Sequence, residues 1–193
     1  MAEIAFRWSG ASLILGAVLV GAAIVTLSLK PVVNAALSPG VSLLLLLASV
    51  FLLLALPAVY TRQAGPAGWL GLAGHALLQT GMLLLVIVAA PPILYPSIRP
   101  ALGEHWILFA LGIALTLGLL LTGIATVRAG VFPRWAGLLL LAATAGFFFD
   151  FFVAEFLPPL PGQLGSALFG ILLALALAGV GGALWLGRLG PAA

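Results

Sequence analysis

The sequence predicts an all-α integral membrane protein, with residues 1–193 forming one domain: a bundle of six transmembrane helices joined by short loops. Three observations carry this reading. Hydrophobic residues make up 64% of the chain and charged residues 6%, whereas a soluble domain carries about 25% charged residues. With a mean hydropathy of +1.35, the surrounding solvent must be lipid. Apolar stretches of roughly twenty residues, the length that crosses the hydrocarbon layer, recur with breaks at proline, glycine and charge. Period-two alternation, which a membrane barrel requires, is absent, so the spans are helical.

The first span, near 8–29, follows Arg7. Its apolar run from Ala11 to Leu29 exceeds the roughly 7–15 residues of a signal-peptide core and reads as a membrane helix. "LKPVVNAALSPG" separates it from a second span near 39–61, in which Pro57 marks a kink point. "TRQAGPAG" precedes the third span, near 68–91. "APPILYPSIRPALGEH" leads to the fourth, near 105–127, and "RAGVFPR" to the fifth, near 132–156. "FLPPLPGQ" leads to the sixth, near 164–187. No soluble domain or lipidation motif is expected.

Charge sets the orientation. Arg7, Arg62, Arg128, Arg134 and Arg188 fall on the side of the termini and the even-numbered loops, while Lys30 and Arg99 fall on the other. The bias places both termini in the cytoplasm. The formal charge of +3 rests on scattered residues, which do not form the basic patch that nucleic acid needs. The absence of cysteine excludes disulfides, thiolate metal sites and a cysteine nucleophile.

Each odd-numbered span opens with W-x-G: Trp8-Ser9-Gly10, Trp69-Leu70-Gly71 and Trp135-Ala136-Gly137. The plain reading is an interfacial ring followed by a small packing residue; the sharper one is a triplicated helical hairpin. Small residues at four-residue spacing suit close helix packing: Ala110, Ala114, Gly118 and Thr122 in span four, Ala174, Ala178 and Gly182 in span six, and Ala17 and Gly21 in span one.

Polar residues inside the spans are the candidates for chemistry. Asp150 lies among phenylalanines in "FFFDFF". At 100° per residue it shares a face with Ala143, Gly146 and Ala154, and Phe148, Phe152 and Phe156 lie opposite. It sits roughly 22 Å above Trp135 in a layer about 30 Å thick. Intramembrane acids face the bundle interior and often mark function; the favoured reading is structural, with Asp150 hydrogen-bonded to neighbouring helix groups or reaching water beneath the outer loops. Glu155 is about 140° further round the helix and does not complete a carboxylate pair. His75 lies about 9 Å above Trp69, with Gln79 one turn on and Gly71 one turn back. Asp150, His75 and Gln79 are therefore the expected ligand or proton pathway, set against a structural histidine bonded to a neighbouring helix.

Glu104 and His105 open span four at the outer surface. The pair reads first as an interfacial anchor or helix cap; the alternative is an outer-face site of Glu104, His105 and Asp150, whose N/O ligands suit a divalent metal although the spacing matches no metal motif. The two histidines sit near opposite surfaces and cannot share one haem iron. A single-histidine or His/Met arrangement using Met82 is the remaining haem option. No nucleophile triad, HExxH or phosphate loop is present.

"RWSGASLILGA", "WLGLAGHALLQTGMLLLVIVA" and "GIATVRAGVFPRWAGLLLLAATAG" together resemble small six-span membrane proteins of bacteria that have no assigned activity. The resemblance implies a six-helix bundle in the bacterial inner membrane and transfers no functional residues. The expectation is a non-enzymatic protein: an accessory or interaction subunit, or a lipid- or small-molecule-binding protein. The alternatives are a small transporter or ion-conducting protein using Asp150 and His75, and a membrane enzyme or haem protein. No cofactor is specified. The expected partners are the bilayer and either other membrane subunits or a second copy of the chain, with no nucleic acid.

Overall fold

A computed structural model of the chain describes residues 2–28, 38–94, 105–149, 152 and 163–187; for residues 2, 105 and 163–165 it describes the backbone alone. The regular elements among them are all helical: α1 (Ala2–Ser28), α2 (Pro39–Ala89), the single turn α3 (Pro91–Leu94), α4 (His105–Ala129), α5 (Arg134–Phe148) and α6 (Gln163–Leu186). Four helices, Glu3–Ser28, Pro39–Leu94, Trp106–Ala129 and Ser166–Leu186, are long and apolar enough to cross a membrane.

α2 has 51 residues. A straight helix of that length would run about 76 Å, more than twice the thickness of a hydrocarbon layer. It does not run straight. Gly68 has φ 55° and ψ −145°, the one non-helical conformation inside the element, in a region that glycine enters without a Cβ clash. The Tyr60 and His75 rings stack with centroids 4.9 Å apart, although 15 residues along a continuous helix would separate them by about 22 Å. The chain therefore doubles back at Gly68 into a first arm (39–67) and a second arm (69–89). Pro57 and Pro66 both lie within helical backbone, and the turn falls on Gly68, the last residue of the expected break "TRQAGPAG".

Close glycine contacts fix the neighbours. A Cβ on Gly10 would lie 2.7 Å from the Gly181 carbonyl oxygen, and one on Gly21 would lie 2.8 Å from Ala174 Cβ, so α1 and α6 cross almost backbone to backbone. Gly16 meets Leu52 and Ala48 on the first arm of α2. Gly74 meets Thr122, Gly81 meets Leu115 and Gly118 meets Leu78 where the second arm packs on α4. Gly123 and Gly137 bring α4 against α5, and Gly146 rests on Phe169 of α6. In each pair, residue numbers rise on one partner as they fall on the other. Six helical segments thus form a closed ring in which every neighbour is antiparallel. This is the small-residue packing expected where lipid supplies no hydrophobic drive between helices.

Several boundaries move. α1 begins at Ala2, six residues before the expected start, because its first turns dock on neighbours: Arg7 lies over the Trp185 ring and Phe6 under the Arg62 guanidinium. The second span runs on to residue 67 because Gln63 and Ala67 are buried. α5 begins at Arg134 instead of 132; of its expected run to 156, residues 150, 151 and 153–156 lie outside the described residues, and Phe149 and Phe152 are π-helical. In α6 the close approach to α1 falls on Gly181, while Gly182 meets nothing within 4 Å. Helical rotation places those two glycines on different faces.

The three W-x-G openings follow their plain reading. Trp8, Trp69 and Trp135 are exposed, and Gly10, Gly71 and Gly137 are buried. Val131 and Phe132, between α4 and α5, are buried beneath the bundle. They follow Gly130, whose φ of +62° ends α4.

Candidate functional site

The fold-back of α2 brings together polar groups that lie far apart along the chain. Tyr60 and Gln63 come from the first arm, His75 from the second, and Thr122 and Thr126 from α4. Gln63 is 2% exposed and its Nε2 donates to Thr126 Oγ1 at 3.0 Å. An amide in hydrocarbon carries a penalty of several kcal/mol without a partner, so this bond fixes the Gly68 end of the first arm against α4. The Tyr60 and His75 planes are inclined by 21°, close to parallel stacking.

Thr122 departs from the behaviour of its neighbours. Thr116 and Thr144, both buried, donate to the carbonyls of Gly112 and Leu140 one turn back, the usual outlet for a helical hydroxyl. Thr122 Oγ1 is buried and has no hydrogen-bond partner among the described residues. It lies 2.8 Å from where a Cβ on Gly74 would sit, so it points at the second arm. Thr122, Gln63, His75, Tyr60, Leu56, Val59, Gly71 and Leu78 enclose a cavity of about 10 Å³, which is room for roughly one water.

A second concavity lies on the outside of the ring, between α1 and the first arm of α2. It has a volume of about 380 Å³ and is lined by Trp8, Ser9, Ala11, Ser12, Leu15, Phe51 and Leu54. Ser12 Oγ donates to the Phe51 carbonyl at 2.9 Å, which leaves an almost wholly apolar wall. Trp8, Leu15 and Leu54 are exposed along it.

Of the expected pathway, His75 lines the polar cavity. Gln79 is half-buried and lies outside the lining. Asp150, Glu155 and Glu104 lie outside the described residues, as does the side chain of His105. Among the described residues no three His, Asp or Glu side chains converge. His75 packs near Thr122, which is 17 residues beyond the start of α4 at His105. That places the two histidine positions about 25 Å apart along the helix, too far to share an iron. Met82 is buried in the core.

The sequence reading missed Tyr60, Gln63 and Thr126. Gln63 stood in a stretch read as loop, and its signal was the i, i+4 pairing of Val59 and Gln63 with Ala67, which continues the buried face of the first arm. Comparison with protein-family models, curated proteins and solved structures finds no match to the chain.

Proposed function

We propose that this is a six-span, non-enzymatic membrane protein that holds a phospholipid acyl chain in the groove between α1 and the first arm of α2. The groove carries the reading: it is about 380 Å³, its walls are apolar, and Ser12 turns its hydroxyl into the Phe51 carbonyl. Trp8 stands at its rim, where an amphipathic ring suits the headgroup boundary, and Arg7 follows Phe6 at the same end of α1. The antiparallel ring and the arginine bias support both termini in the cytoplasm of a bacterial inner membrane. In this reading the protein acts as a lipid-binding or accessory subunit.

Native mass spectrometry after gentle detergent extraction tests the groove. Phospholipid is expected to stay on the wild type and to be lost from Ala11→Phe/Leu54→Trp, which fills the groove from both walls. Equal retention by the two proteins would count against the reading.

His75 beside Gln63 and Thr122 favours a second reading, a small transporter or ion-conducting protein. Reconstituted His75→Ala with unaltered proton or ion flux would remove it.

A further inference from the structure

We infer that the cavity between the two arms of α2 and α4 is a binding site for a single water molecule, held by Thr122, Gln63 and His75. Size selects the ligand first. About 10 Å³ matches the roughly 10–15 Å³ one water requires and no organic molecule. Enlarging it means separating the second arm from α4. There a Cβ on Gly74 would already meet the Thr122 nitrogen at 2.8 Å and Leu121 Cβ at 3.0 Å.

Chemistry selects it next. A buried water needs two to four polar partners. Thr122 Oγ1, which has no partner among the described residues, can both donate and accept. Gln63 uses Nε2 toward Thr126, which leaves its Oε1 to accept. The His75 imidazole stacks on Tyr60 and offers a nitrogen of either character. No carboxylate lines the cavity, so a bare cation finds no compensating charge, whereas a neutral molecule that donates twice and accepts twice fits all three groups. The remaining walls are the apolar Leu56, Val59, Gly71 and Leu78 and the Tyr60 ring. One solvent molecule then joins the second arm, through His75, to the Gln63–Thr126 bond between the first arm and α4. It closes the inner end of the hairpin, where Gly68 provides the turn but no side chain to bind across it.

Thr122→Val keeps the shape and removes the hydroxyl, and the sign of its effect on stability is diagnostic. With water bound, the variant loses a satisfied partner, and Tm in detergent falls by several degrees. With a dry cavity it removes an unpaired buried hydroxyl, and Tm holds or rises. Radiolytic labelling in ¹⁸O-water gives an independent readout on the wild type. Radicals formed at a bound water are expected to label His75 several-fold faster than Phe147, an aromatic half-buried like His75 that packs on Phe169. A Tm that holds or rises, or His75 labelled no faster than Phe147, overturns the site. If Thr122→Val does not fold, the labelling decides.

Discussion

Gln63 is a buried amide whose hydrogen bond ties the first arm of α2 to α4. Its amide sits at the Gly68 end of an apolar bundle, where Nε2 donates to Thr126 Oγ1. Removing either partner alone leaves the other buried and unmet. Gln63→Leu and Thr126→Val are each expected to cost about 1–3 kcal/mol, while the double variant recovers much of that loss. A double-mutant cycle in detergent should give a coupling of about 0.5–1.5 kcal/mol; additive losses would show that the bond contributes nothing. Part of this site was legible in the sequence. His75 and Gly71 share a stripe at i, i+4, and both line the cavity. Gln63 and Tyr60 were not legible there, because their meeting with His75 depends on where the chain turns rather than on helical period.

The decisive feature at the level of elements is the fold-back of α2. "TRQAGPAG" reads as a loop of eight residues, since it combines charge, two glycines and a proline. In the structure the helix runs through all but its last residue. Pro66 keeps helical backbone, and the turn is confined to Gly68. Two alanine substitutions three residues apart separate these readings. Gly65 is exposed and helical, with nothing within 4 Å of an added Cβ, so Gly65→Ala should be stabilising by up to about 1 kcal/mol. Gly68→Ala meets the same open space but must hold φ near +55°, and should cost about 1–3 kcal/mol. Thermal unfolding of the two variants is expected to shift in opposite directions; a parallel shift would place both residues in one loop. Helix identities were legible because the apolar runs are continuous, four of them in helices long enough to cross a membrane, with the shorter α5 between α4 and α6. Their ends were not, because Phe6, Arg7 and Gln63 continue helices past the apolar runs by packing on neighbours.

For the whole molecule, closure into an antiparallel ring is the organising fact. It follows from glycine contacts on every neighbouring pair, which a linear sequence shows only as scattered small residues. Ala114, Gly118 and Thr122 were recognisable as one packing face because they share a single helix. The pairing of Gly10 with Gly181 required the tertiary fold. An antiparallel ring closes only with an even number of segments, and six places the two termini and the Gly68 turn at one end of the bundle. That end carries Arg7, Arg62, Arg128 and Arg134. Cysteine is absent from the chain, so single cysteines report position without background. Gly65 and Gly40 are suited to this, since both are exposed and open to an added side chain. The most direct test is labelling of Ala2→Cys, Gly65→Cys and Gly40→Cys by a membrane-impermeant maleimide in right-side-out and inside-out vesicles. The expected result is that Ala2→Cys and Gly65→Cys react only in inside-out vesicles and Gly40→Cys only in right-side-out vesicles. Reaction of Gly65→Cys and Gly40→Cys from the same side would contradict a first arm that crosses the membrane and turns back at Gly68.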